Sequence, residues 1–175
     1  DDNGLEVRRT RTALAGDRAQ KGKLEIRADS NSRTVSGYAV VYDQETLIGD
    51  AYAEVVREGA FTETLKTADV RALFNHDSGR PLGRTSAGTL RLRDDNFGLW
   101  FSLDLPNTRD GDDALSLIRR GDLDGMSFGF VVPRGGDRWS RRSDGMELRE
   151  LLQVDLLEIS IVTFPAYKGT SAGVA

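Results

Sequence analysis

Apolar and polar residues alternate along most of this chain, and that period of two predicts a β protein. "KLEIRAD", from Lys23, places its apolar residues at every second position, and "RTVSGYAVVYD" repeats the pattern after the turn-forming "SNS", so the two read as an antiparallel pair. "AYAEVVREG" predicts another short strand, and in "AFTETLKTA" Phe61, Leu65 and Ala68 recur at helical spacing. "DVRALFNHD" returns to strand character with Val70, Ala72, Phe74 and His76 on one parity, which would end the strand with His76 on its apolar side. "GTLRLRDDNFGLWFSLDL" predicts a hairpin turning at "DDNFG". "TRDGDDALSLIRRGD" has acids first, arginines last and Gly121 as a stop, the order a helix and its dipole favour. "LDGMSFGFVVP" is a strand entered through an Asp-Gly turn. The stretch that follows predicts a hairpin around residues 143–145 and one or two long strands ending near Pro165.

About seven to nine strands, two short helices and no strand–helix–strand repeat predict a mainly β, antiparallel architecture. A closed or partly open β-barrel flanked by a few short helices would dispose of the sheet edges. Residues 1–21 are polar without a period and read as a flexible lead-in. The folded domain is expected over 22–167, with 168–175 as the remnant of a C-terminal tail. The chain opens on Asp1 without a methionine, so a processed or trimmed start is expected.

Composition narrows the function classes. A length of 175 residues with 38% hydrophobic content supports one filled core. Against 28 acidic residues stand 24 basic ones, all but four of them arginine, for a formal charge of -4. That leaves no bulk positive field for phosphate backbones, and nucleic acid is not an expected partner. No apolar stretch approaches the ~20 residues of a membrane span, so no membrane partner is expected either. Zero cysteines exclude thiolate catalysis, disulfides and thiolate zinc sites, and one histidine is a poor basis for a transition-metal site. No cofactor is expected. A metal-dependent hydrolase built on His76, Asp77 and Asp43 is the least favoured reading.

Three residues stand out chemically. Strand parity in "DGMSFGF" sends Met126, Phe128 and Phe130 to one face and Ser127 and Gly129 to the other. Ser127 is then either a solvent-face serine beside a bulge glycine, or a nucleophile whose neighbour leaves room for a substrate backbone. In "DLLEISIVTFP", Glu158 interrupts an apolar strand; it either faces water with Ser160 by simple alternation, or is paired, because an isolated buried carboxylate is very costly. His76 is either a partly exposed residue bonded to Asn75 or Asp77, or the base that a serine hydroxyl requires within ~2.6–3.2 Å. As the only imidazole, it is the one candidate for that base.

The blocks "SGYAVVYD", "AYAEVVREGAF", "FNHDSGRPLGRT", "GLWFSLDLPNT", "LSLIRRGDLDGMSFGF" and "LLEISIVTFPAY" occur in an order that resembles the tailed-phage prohead (head-maturation) protease family, from roughly Val35 to Tyr167. That family is similar to the herpesvirus assemblins, serine proteases on an antiparallel β-barrel ringed by helices. The resemblance implies a serine endopeptidase that cuts scaffold segments, or scaffolding segments of the major capsid protein, inside the assembling procapsid in the host cytoplasm. It also implies self-cleavage and a homo-oligomer, a dimer or higher. Carried over by position, the catalytic residues are His76 as base, Ser127 as nucleophile and Glu158 as orienter of the imidazole, where assemblins have a second histidine. Assemblins are said to use an arginine-bearing loop for the oxyanion; here the stretch reads "AYKGTS", which leaves backbone N–H groups near Lys168 and Gly169 as candidates. Family members often carry a C-terminal extension, and its loss here, by self-cleavage or by trimming, is expected. The alternative reading keeps the same fold as a non-catalytic module that binds scaffold or capsid protein.

Overall fold

The computed structural model describes residues 6–7, 32–49, 51–164 and 173–174; the expected strand "KLEIRAD" and the Lys168–Gly169 stretch lie outside the described residues. The period-two segments become strands: β1 (Glu6–Val7), β2 (Thr34–Val41), β3 (Thr46–Ile48), β4 (Tyr52–Val56), β5 (Arg71–Phe74), β6 (Asp77–Arg84), β7 (Leu90–Asp94) and β8 (Gly98–Asp104). Helix α1 (Arg109–Arg120) follows, and then β9 (Gly125–Val131), β10 (Asp137–Arg141), β11 (Glu147–Leu151), β12 (Asp155–Val162) and β13 (Gly173–Val174).

Three sheets result, in the orders β1-β9-β12-β5-β6, β10-β11-β4-β3 and β13-β2-β8-β7. Their apolar faces share one core, in which Phe61, Phe101, Phe128, Phe130, Leu99, Leu103, Ile159 and Ile161 are fully buried. Phe128 stacks on Phe130 with centroids 5.0 Å apart and meets Phe61 edge-on at 6.0 Å, so the even-numbered residues of β9 anchor the sheet from below. Helix α1 lies where its sequence signals put it. The Thr108 side chain accepts the Gly111 N–H, Asp110 and Asp112 fill the first turn, Arg119 and Arg120 the last, and Gly121 closes it at φ 80°.

The structure departs from the sequence expectations in its strand pairing and over residues 60–68. Pairing is mixed: β4 runs parallel to β11 and β5 parallel to β12, because each pair joins segments far apart in sequence, with room for the crossover a parallel pair needs. The ladders of the described residues form separate sheets and do not trace a closed barrel. The helix expected over residues 60–68 is a series of tight turns around a single 3₁₀ turn, Thr64–Lys66, that still buries Phe61 and packs Leu65 and Ala68 on the core. Within the lead-in, Glu6 and Val7 pair with Phe130 and Gly129 along the open edge of β9.

Candidate active site

The five-stranded sheet positions the site. In the β9–β12 ladder Ser160 lies across from Ser127, and Glu158 across from Gly129, so these four residues form a two-by-two patch on one face. The patch exists because β12 carries a bulge: Leu156 pairs with Phe130 and Glu158 with Gly129, leaving Leu157 as the extra residue. The bulge resolves a conflict in the sequence. Leu156 and Glu158 share a parity, yet Leu156 is buried in the core while Glu158 faces the site.

Gly129 has a different role from the one its position beside Ser127 suggested. A Cβ built there would lie 2.5 Å from Glu158 Oε1 and 3.1 Å from Glu158 Cγ, so the space left by the glycine is taken by the glutamate. The alternation reading that puts Glu158 and Ser160 on a wet face does not hold, since Glu158 is 9% exposed and Ser160 0%.

His76 reaches the patch from a turn. β5 ends at Phe74, Phe74 pairs with Asp77, and the two residues between them, Asn75 and His76, have φ of 52° and 61°. Two left-handed residues make the two-residue turn that suits the twist of a hairpin, and asparagine is among the residues that tolerate it best. Strand parity therefore does not aim His76; the turn does. β12 and the residue after it pin that turn: Asn75 N donates to Ile161 O at 2.9 Å, His76 N to Ser160 Oγ at 3.1 Å, and Thr163 N to Asn75 Oδ1 at 3.2 Å.

The three residues singled out in the sequence come together in one hydrogen-bonded chain. His76 Nε2 lies 2.9 Å from Ser127 Oγ, and His76 Nδ1 lies 2.6 Å from Glu158 Oε1. Glu158 Oε2 accepts from Ser160 Oγ at 2.6 Å. An ionised carboxylate only accepts, so Nδ1 carries the imidazole proton and Nε2 presents its lone pair to the serine hydroxyl. Ser127 is 1% exposed and the His76 and Glu158 side chains 6% and 11%, which keeps these groups out of bulk water and so strengthens their electrostatics. Among the described residues, no buried side-chain nitrogen or oxygen lacks a partner.

Of the other sequence candidates, Asp77 accepts from Gly79 N and Asp43 from Arg57, so neither joins this chain. Ser160 is the residue that sequence reasoning passed over. A cavity of about 1300 Å³ opens beside His76 and Glu158, walled by Leu73, Pro81, Leu82, Leu156 and the bulged Leu157. Its charged rim includes Arg71, Asp155 and the Arg84–Asp69 ion pair, in which the Arg84 guanidinium holds the Asp69 carboxyl well below the usual carboxylate range.

A family model described as Caudovirus prohead serine protease matches residues 22–175. No curated protein and no solved structure matches the chain.

Proposed function

The chain belongs to the Caudovirus prohead serine protease family, and from that premise we propose that Ser127, His76 and Glu158 hydrolyse peptide bonds in scaffold segments, or scaffolding segments of the capsid protein, during procapsid maturation. The observation that carries the assignment is the unbroken run from Ser127 Oγ to His76 Nε2 at 2.9 Å and from Nδ1 to Glu158 Oε1 at 2.6 Å.

In the proposed reaction Ser127 Oγ attacks the scissile carbonyl carbon while its proton passes to His76 Nε2. The imidazolium so formed keeps its Nδ1 proton on Glu158, whose negative charge stabilises it. Collapse of the tetrahedral intermediate breaks the C–N bond, and the Nε2 proton leaves on the amine. Water then attacks the acyl-enzyme, giving its proton to Nε2, and Ser127 recovers that proton as the carboxylate product departs. The substrate segment enters along the cavity beside His76, with an apolar side chain among Leu73, Pro81 and Leu157. Other copies of this chain serve as substrate in the same way.

Ser127→Ala and His76→Ala are expected to lower cleavage of a purified scaffold segment at least about 1,000-fold, and Ser127→Ala should leave the melting temperature in place. A serine-directed fluorophosphonate should label Ser127 in the parent and fail on His76→Ala. Glu158→Gln keeps the shape but offers the wrong polarity to Nδ1–H, and should cost about 10³–10⁴-fold in kcat. Mass measurement of concentrated parent and Ser127→Ala protein tests self-cleavage: fragments from the inert variant would exclude it. Full activity in folded Ser127→Ala would overturn the assignment.

A further inference from the structure

We propose that Ser160 is a positioning residue, a fourth member of the site that locks the imidazole tautomer and the turn that carries it; the inference rests on the roles given above to His76 and Ser127. Ser160 is 0% exposed, lies directly across the ladder from Ser127, and touches both partners of the pair that prepares the base. Its oxygen accepts the backbone N–H of His76 at 3.1 Å, and its single proton goes to Glu158 Oε2 at 2.6 Å.

One hydroxyl thus does two things. Toward the backbone, it is the acceptor for the N–H of a residue at φ 61°, a conformation that non-glycine residues occupy only at a cost and that persists when its surroundings fix it. Toward the carboxylate, it occupies Oε2, which leaves Oε1 for His76 Nδ1 at 2.6 Å. A carboxylate held by one oxygen alone can rotate about its last torsion and present either oxygen or neither to the ring. Held by both, it offers Nδ1–H one acceptor in one place. Outer partners that orient a metal-bound histidine typically cost about 10–100-fold when lost, and Ser160 stands in the same relation to His76 through Glu158. Ser160 is fully buried and bonds Glu158 and the His76 backbone, so its effect falls on the chemistry and not on substrate binding.

The sequence supplies its own probe, because the chain has a single histidine. In untagged, ¹⁵N-labelled protein the two ring nitrogens report the tautomer without any assignment problem. Ser160→Ala, checked for folding by circular dichroism and thermal melting, is expected to lower kcat on a scaffold peptide about 10–100-fold with KM within about twofold. The ring nitrogens should leave the pattern of a protonated Nδ1 and an accepting Nε2. Ser160→Thr keeps a hydroxyl on the same carbon and should retain both the ring pattern and most of the turnover; it also serves if the alanine variant does not fold. A folded Ser160→Ala with kcat within about twofold of the parent and an unchanged ring pattern would overturn the proposal, as would a folded Ser160→Thr that loses both. Should Ser127→Ala and His76→Ala leave cleavage intact while Ser160→Ala still alters the ring pattern, it is the proposed function that fails and the positioning role that stands.

Discussion

At the scale of single residues, the site depends on what is missing as much as on what is present. Gly129 has no side chain, and Glu158 occupies the space that leaves. Gly129→Ala is therefore expected to push the carboxylate off His76, lowering kcat about 100-fold or more for a loss of stability of about 1–3 kcal/mol, the usual cost of an overpacked site. Peptide cleavage and denaturant melts on the same preparation separate the two effects, and unchanged kcat in Gly129→Ala would remove Gly129 from the account. This glycine was visible in the sequence, but its use was not. A Gly beside a Ser on one strand is equally compatible with a bulge, with room for a substrate, and with a partner across the ladder, and only pairing decides among them. The three chemically prominent residues were more legible. His76 is the only imidazole, and Glu158 stands out because a carboxylate in a strand of leucine and isoleucine demands a partner. Ser160 gave no such signal, since a serine two places from a glutamate is also what a solvated strand face looks like.

At the scale of elements, strands and the long helix followed their periods and the β7–β8 and β10–β11 hairpins formed as expected, whereas the long-range pairings were not legible. Alternation reports which face a residue takes but carries no information on which distant strand lies beside it, so the parallel β5–β12 and β4–β11 pairs were out of reach. The bulge at Leu157 was equally hidden, because it breaks the parity that made the strand recognisable. The turn at Asn75 and His76 is the element on which the base depends, and its strain is testable. Asn75→Ala removes both a residue suited to the left-handed region and the acceptor for Thr163 N, and is expected to cost about 1–2 kcal/mol. Asn75→Gly, which keeps the conformation but not the acceptor, should cost less. Equal losses in urea melts would mean that the backbone conformation contributes nothing to the difference.

At the scale of the whole molecule, the sheet that holds the site is separate from the four-stranded sheet that holds most of the buried charge. There Glu54 and Arg149 pair in the interior, and Arg57 and Arg138 both grip Glu150. Hydrogen bonds from Arg138 and then Arg57 lower the Glu150 carboxyl from 4.5 to about 2. Because the folded value is the depressed one, the stabilisation is complete above about pH 4.5 and is lost as pH falls toward about 2. Melting temperature should fall on acidification through that window, and Glu150→Gln should flatten the fall; an identical acid profile in the variant would show that other carboxylates govern it. The order of the site along the chain has a last consequence. Its proposed base lies at 76, its proposed nucleophile at 127, and both groups proposed to ready the base lie on β12, at 158 and 160. A chain still emerging from the ribosome thus carries base and hydroxyl before the groups that orient the base, so in the proposed reaction cutting waits until β12 has been made.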